Sequence, residues 1–311
     1  METAAENFFQ CDFEFPFKLP GLPERLSDLT DLKIGSFQTT DGVSLTYWKA
    51  GQGNPLIFLP GWSADGAEYI NLLHVLREQF EVYVLDYRNH GLSQKVRYGN
   101  RVSRFSMDVH EFVQHIGAEK ANFCGWSMGC AVLWSYIDLF GTSTINRLAL
   151  IDEAPSIYCH SNWTEDERVK AGAFTTSAER MIDMFCGRSA TNLLQVNTDI
   201  FDFYTIDNAP AFGNSHLFAE KFAPKDMAAL ELVLFDHILN DWRDVITHKI
   251  DVPTLVFSGE HSNWVGSQKW IAETVPGGKV FIYSKENHGD HFLHLKNPIG
   301  FSEELSSFIL D

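Results

Sequence analysis

The sequence predicts an α/β architecture: a mostly parallel, eight-stranded sheet flanked by helices, with a helical cap inserted late in the chain. Three observations carry this. Apolar runs of strand length alternate with amphipathic runs of helical length, the pattern of a sheet buried on both faces. The alternation stops from about 156 to 245 and then resumes. The early strand-like runs have no helix between them, which predicts an antiparallel start to the sheet.

Residues 1–30 form an aromatic, proline-punctuated arm ("FFQCDFEFPFKLPGLPERL"), expected to pack as a strap on the domain, with a cover over a substrate mouth as the sharper alternative. Strand-like runs follow at "KIGSFQTT", at "VSLTYWKAG" after the Asp41-Gly42 turn, and at "PLIFLPG". Helix-patterned "AEYINLLHVLREQF" precedes the apolar run "EVYVLDY", and "SRFSMDVHEFVQHIG" precedes "ANFCGWS". A helix from Met128 leads to "INRLALIDEAP". After the insertion come "VPTLVFSGE", a helix near Ser267–Thr274, "KVFIYSKENH" and a final helix, Ile299–Leu310. The expected organisation is an arm (1–30), a first core part (31–155), a helical cap (156–245) and a second core part (246–311).

The chain has 311 residues and a formal net charge of −17 at pH 7. Such a chain repels phosphate backbones and anionic membranes, and no basic cluster offsets this, so no nucleic-acid partner is expected. The five cysteines (Cys11, Cys124, Cys130, Cys159 and Cys186) are odd in number and irregularly spaced, which reads as reduced thiols. The amino-terminal residues show no secretory pattern, and no apolar run is long enough to span a bilayer. A cytoplasmic location is expected. No metal constellation or dinucleotide fingerprint appears, so neither metal nor cofactor is predicted. Oligomeric state is left open, a homodimer among the options.

The informative segment is Gly125-Trp126-Ser127-Met128-Gly129, between the apolar run Ala121–Cys124 and a helix. A serine there sits on a tight turn that only small flanking residues allow. A serine hydroxyl is a weak nucleophile alone. It needs a base, a group to orient that base, and amides facing the developing oxyanion. One amide is that of Met128 at the helix start. The second is expected in Leu59-Pro60-Gly61-Trp62-Ser63, where Gly61 lets the backbone fold over the site and the Trp62 N–H donates. The base is expected among His288, His291 and His294 in "ENHGDHFLHLKNP".

With these motifs in order, the chain resembles the α/β-hydrolase superfamily over nearly its whole length: the Pro60-Gly61-Trp62 loop, "LDYRNHGLSQ" (85–94), the elbow 125–129, and a tail histidine seven residues before Pro298. That resemblance singles out His291. In motifs it is nearest to members labelled non-haem haloperoxidases and to lactonases. Most relatives carry their acid in a Gly-x-x-Asp pattern after the strand "PTLVFSG". Here that position is Ser262, which cannot carry the charge, and Glu260 lies two places early. The alternative place is the end of "LALIDEAP". Asp152 and Glu153 are adjacent and face opposite ways on a strand end. The lactonase-like pattern of an acid, one residue and a proline selects Glu153 as the triad acid, with Asp152 and then Glu260 as the alternatives.

The cap is rich in aromatic and Met side chains: Tyr158, Trp163, Phe174, Met181, Met184, Phe185, Phe201, Phe203, Tyr204, Phe212, Phe218 and Phe222. Most of them serve the cap's own core. Those facing the sheet edge, with Gly61, Trp62, Trp126 and Tyr158 as substrate-binding candidates, favour an apolar or aromatic substrate. Core packing is the equal alternative for Trp126. Arg243, between two acids in "NDWRDVI", is expected to form a structural ion pair.

The resulting expectation is a serine esterase or lactonase that forms an acyl-enzyme on Ser127. Two other readings compete. One is a cofactor-independent dioxygenase with His291 as base, suggested by a similar Pro-Gly-Trp loop. The other is a non-catalytic small-molecule receptor on the same fold.

Overall fold

The computed structural model describes residues 12–173 and 209–311. Eight strands form one sheet: β1 (Lys33–Gln38), β2 (Ser44–Ala50), β3 (Pro55–Leu59), β4 (Glu81–Leu85), β5 (Ala121–Trp126), β6 (Ile145–Ile151), β7 (Thr254–Gly259) and β8 (Lys279–Tyr283). Their order is β1-β2-β4-β3-β5-β6-β7-β8. β2 runs antiparallel to both neighbours, and every pairing from β4 to β8 is parallel. The sheet is the one expected, antiparallel start included.

The described helices are α1 (Ile70–Leu76), α2 (Val102–His115), α3 (Met128–Phe140), α4 (Glu165–Ala171), α5 (Pro210–Phe222), α6 (Met227–Ile238), α7 (Arg243–His248), α8 (Val265–Thr274), α9 (Leu293–Lys296) and α10 (Pro298–Leu310). α1 and α10 pack together on one face, α2 and α3 on the other. The central strands therefore bury both of their sides. Leu56 and Phe58 of β3 enter one core with Val82 and Val84 of β4. Ile57 and Leu59 enter the other with Tyr83 and Leu85. This two-residue alternation inside a continuous apolar run is the signature of a doubly covered strand.

Helices α4 to α6 lie between β6 and β7, where the sheet's alternation breaks off. Phe174, Met181, Met184, Phe185, Phe201, Phe203 and Tyr204 lie outside the described residues, as do Cys11, Cys186 and residues 1–11 of the arm. From residue 12 the arm is a strap. The Phe15 amide bonds the Glu24 carbonyl at 2.9 Å, closing it on itself. Phe13 and Phe15 set their rings on Phe218 of α5 at 5.4 and 5.6 Å. Asn214 of α5 accepts from the Phe17 amide and donates to its carbonyl, at 3.0 and 2.7 Å. Phe15 also belongs to the core containing Trp48 and Tyr69, so the strap ties α5 to the sheet.

Below the sheet's carboxyl edge, Arg88 is fully buried and splits its guanidinium between Asp108 (2.7 and 2.8 Å) and Asp41 (2.9 and 3.1 Å). This network pins the loop after β4 to α2. Arg243 pairs with Asp241 at 2.6 Å, as expected of a structural ion pair, and stacks on Trp163 at 4.1 Å.

Candidate active site

Four successive parallel strand ends carry a non-glycine residue in the left-handed region: Ser63 after β3, Asn89 after β4, Ser127 after β5 and Asp152 after β6, with φ of 63°, 70°, 53° and 46°. Residues with a side chain disfavour this conformation, and its concentration at one edge marks a functional site. That edge is the carboxyl end of the parallel strands, where folds of this type bind ligands.

Ser127 links β5 to α3 with φ 53° and ψ −127°. Its amide bonds the Ile151 carbonyl of β6 at 3.0 Å, so the sheet itself holds the turn. The flanking glycines are required by contact. A Cβ on Gly129 would stand 2.0 Å from the Leu59 carbonyl oxygen, and one on Gly125 2.7 Å from that of Gly129. Helix α3 thus begins pressed against the end of β3. The Met128 N–H, at the first helical position, has no intrahelical acceptor.

His291 follows β8 and is 3% exposed. Its Nδ1–H donates to Asp152 Oδ2 at 2.8 Å, and the other carboxylate oxygen, Oδ1, accepts from Ser258 Oγ of β7, also at 2.8 Å. The Asp152 amide bonds the Phe257 carbonyl at 2.9 Å. Asp152 is fully buried and fixed on three sides. Protonated at Nδ1, the imidazole has Nε2 as its proton-accepting nitrogen.

This corrects the expectation of Glu153 against His291. The rule that neighbours face opposite ways holds on a strand, but β6 ends at Ile151 and Asp152 turns the chain. The Glu153 carboxyl instead lies 3.7 Å from Nε2 of His237 on α6. Glu260 is exposed and accepts from the Lys285 amide at 3.0 Å, away from His291. Ser262 caps the chain at the Trp264 amide, at 3.0 Å.

Burial pushes the Glu153 carboxyl well above the usual carboxylate range, and the Asp152 charge beside it adds to the rise. The Ser127 hydroxyl faces this carboxyl and opposes the rise, without closing a hydrogen bond. Burial also lowers His237 to about 4. Burial thus disfavours the charged form of both groups. Glu153 is therefore placed against His237, and the carboxylate on His291 is that of Asp152.

The other tail histidines have different places. His294 is buried on Tyr69 and Trp126, with Nε2 3.3 Å from the Tyr69 hydroxyl. His288 occupies a left-handed position in an exposed turn. Asp290, beside His291, is paired with buried Lys296 and takes the Phe292 amide at 2.8 Å, which shapes the loop.

Trp126 is a correction. It was a candidate pocket wall, but it is 3% exposed and its indole N–H donates to the His291 carbonyl at 2.8 Å. It braces the histidine loop from behind. Gly61 lies directly on Trp126 and Ser127; a Cβ there would come within 3.0 and 3.1 Å of them. The Ala64 amide closes a turn onto the Gly61 carbonyl at 3.2 Å, carrying Trp62 over the site. Trp62 donates through Nε1 to the Leu230 carbonyl of α6 at 2.9 Å, joining the loop after β3 to the insertion. Tyr158 sets its ring edge-on to His160 at 4.7 Å, in a string that continues to Trp163. Its observed ring contact is with that string rather than with Ser127 or His291.

Sequence reasoning missed four residues: Ser258 behind Asp152, His237 opposite Glu153, Trp264 packed edge-on against His291 at 5.3 Å, and Gln268, whose amide holds the Glu153 carbonyl at 2.6 Å. None carries a local signal. Only the folded sheet edge brings them together. In chemical terms, the edge combines a strained serine, an oriented imidazole and a helix-start amide, the parts required for acyl transfer.

A family profile described as the alpha/beta hydrolase fold matches residues 54–184. The chain is 32% identical over 277 residues to a soluble epoxide hydrolase of Corynebacterium sp. (strain C12), covering 83% of this chain and 91% of the relative. It is 25% identical over 273 residues to a bifunctional esterase/perhydrolase of Acinetobacter calcoaceticus, covering 82% and 93%. Among solved structures, an esterase from Exiguobacterium antarcticum superposes with a TM-score of 0.73 at 19% identity, covering 89% of this chain and 99% of the other. The chain belongs to the α/β-hydrolase superfamily.

Proposed function

We propose that this protein is a serine hydrolase that cleaves carboxylic esters or lactones of apolar or aromatic small molecules. The observation that carries the reading is the 2.8 Å contact between His291 Nδ1 and Asp152 Oδ2, beside a serine held at φ 53° on the adjoining strand end. In this reading His291 Nε2 takes the Ser127 proton and the alkoxide attacks the substrate carbonyl. The Trp62 and Met128 amides receive the oxyanion. His291 passes the proton to the leaving oxygen, and a water activated by the same Nε2 then frees the acid from Ser127. Asp152 steadies the imidazolium that forms twice in each cycle.

The chemistry of the nucleophile argues for a carbonyl substrate over an epoxide. An alkoxide that opens an epoxide leaves an alkyl ether on the serine, which water does not cleave. An acyl ester on the same oxygen is hydrolysed readily. The test is release of acid from aryl and alkyl esters and macrocyclic lactones, together with labelling by a fluorophosphonate. Wild type should label and turn over, and Ser127→Ala should do neither. A Ser127→Ala variant that keeps most of the activity would overturn the reading.

A further inference from the structure

We propose that Glu153 is a specificity-determining donor: its carboxyl binds an uncharged oxygen on the carbon next to the scissile carbonyl, so the site selects 2-alkoxy, 2-hydroxy or 2-oxo acyl esters over plain alkyl esters. The inference rests on Ser127 acting on a carbonyl, as proposed above. Its starting point is a carboxyl that has nothing to bind. Glu153 is 1% exposed, yet neither side-chain oxygen has a hydrogen-bond partner among the described residues. A buried polar group left unpaired destabilises the fold, and such groups in a native structure need a reason. Its backbone carbonyl is held by the Gln268 amide at 2.6 Å.

Apart from the Ser127 hydroxyl, which faces the carboxyl and favours its charged form, the groups around it leave it a hydrogen-bond donor. Asp152 on one side is an anion committed to His291 and Ser258. His237 on the other is 3.7 Å away, too far to close a hydrogen bond, and its Nδ1 is also unpartnered. Cys130, behind, gives its thiol to the Gly125 carbonyl at 3.1 Å. No Lys or Arg among the described residues pairs with Glu153. Burial and the Asp152 charge both favour the protonated carboxyl. A protonated carboxyl in this position offers an O–H to an acceptor, while the neighbouring Asp152 charge disfavours a carboxylate as that acceptor.

Location fixes the class of acceptor. Glu153 faces the Ser127 hydroxyl. A group beside the nucleophile reaches atoms one or two bonds from the reacting carbonyl, not a distant end of the substrate. The Trp62 and Met128 amides are assigned to the carbonyl oxygen itself, which leaves an oxygen on the adjacent carbon. A site built around such a contact rejects the analogue lacking it, because the protein's polar group then stays unpaired.

The experiment compares phenyl methoxyacetate with phenyl butyrate, which differ by one ether oxygen in place of a methylene. It uses wild type, Ser127→Ala, Glu153→Leu and Glu153→Gln. Wild type should favour the methoxyacetate in kcat/KM beyond the ratio found in alkaline hydrolysis. Glu153→Leu should cut that preference by roughly tenfold, while Glu153→Gln, which still donates through its amide, should keep most of it. The Leu variant should also melt at or above the wild-type temperature, since it removes an unpaired buried polar group. An unchanged preference in the Leu variant, equal loss on both esters, or an unfolded Leu variant would overturn the inference while Ser127→Ala remains dead. If wild type cleaves neither ester and matches Ser127→Ala, the hydrolase reading fails and this one falls with it.

Discussion

Asp152 and His291 meet at 2.8 Å across 139 positions of sequence, and the contact depends on a backbone turn at Asp152 with φ 46°. The turn lets one residue leave β6, face the loop after β8, and still bond β7 through its own amide and through Ser258. The next residue, Glu153, is then released toward α6. Two adjacent carboxyls thus occupy unlike environments: one hydrogen-bonded to His291 and Ser258, the other buried where its charge is disfavoured. Separating paired carboxyls in this way is how a fold gives them separate tasks.

Trp126 should matter for the placement of His291. Trp126→Phe removes the indole donor to the buried His291 carbonyl. The expected cost is about 1–3 kcal/mol of stability, read as a lower urea midpoint. Turnover should fall severalfold with little change in KM, because the loop that carries the base loosens while the pocket wall stays. An unaltered midpoint would contradict the bracing role.

The ion network at Arg88 should be a stability element. Arg88→Met leaves Asp108 buried with only Arg104 against it. Breaking a buried pair from one side costs about 3–5 kcal/mol, measurable by urea unfolding. Asp108→Asn, which removes the charge but keeps a hydrogen-bonding group, should cost less.

Acid stability should carry the mark of His237. Its folded value, about 4, lies below the ordinary 6.5. Between those values the unfolded chain binds the proton and the folded chain does not. Stability from this residue is therefore present above about pH 6.5 and lost as pH falls toward 4. The displacement corresponds to on the order of 3 kcal/mol. His237→Leu should flatten that limb of the stability profile. Glu153 works in the opposite sense: its raised value makes it least favourable to folding at neutral pH, so Glu153→Leu should gain most there. Parallel stability profiles for His237→Leu and wild type between pH 4 and 6.5 would refute this.

Much of the fold was legible because it is written locally. Strand runs such as "PLIFL" and "EVYVL" are apolar on both sides, and only a doubly covered sheet accommodates that. Gly125 and Gly129 flank a serine at a strand-to-helix junction, a pattern that implies close backbone contact before any coordinates exist. The order of the two carboxyls was not legible. Strand alternation correctly separates Asp152 from Glu153 but cannot say which faces the histidine, because the answer lies in one left-handed residue beyond the strand. The partners of these groups were also hidden. Ser258 sits inside an unremarkable strand, and His237 lies on a helix 84 positions beyond Glu153. The sequence leaves Trp126 open between pocket and core; the fold buries it and gives its indole N–H to the His291 carbonyl.

The measurement that bears most directly on the central claim is hydrolysis of phenyl butyrate by wild type, Asp152→Asn and Glu153→Gln, with Ser127→Ala as the blank. Asp152→Asn should lower kcat by about 10³–10⁴-fold, since the imidazole loses its anionic partner. Glu153→Gln should lose less than about tenfold. If instead Glu153→Gln is the crippled variant and Asp152→Asn remains active, the carboxyl that serves His291 has been assigned to the wrong residue.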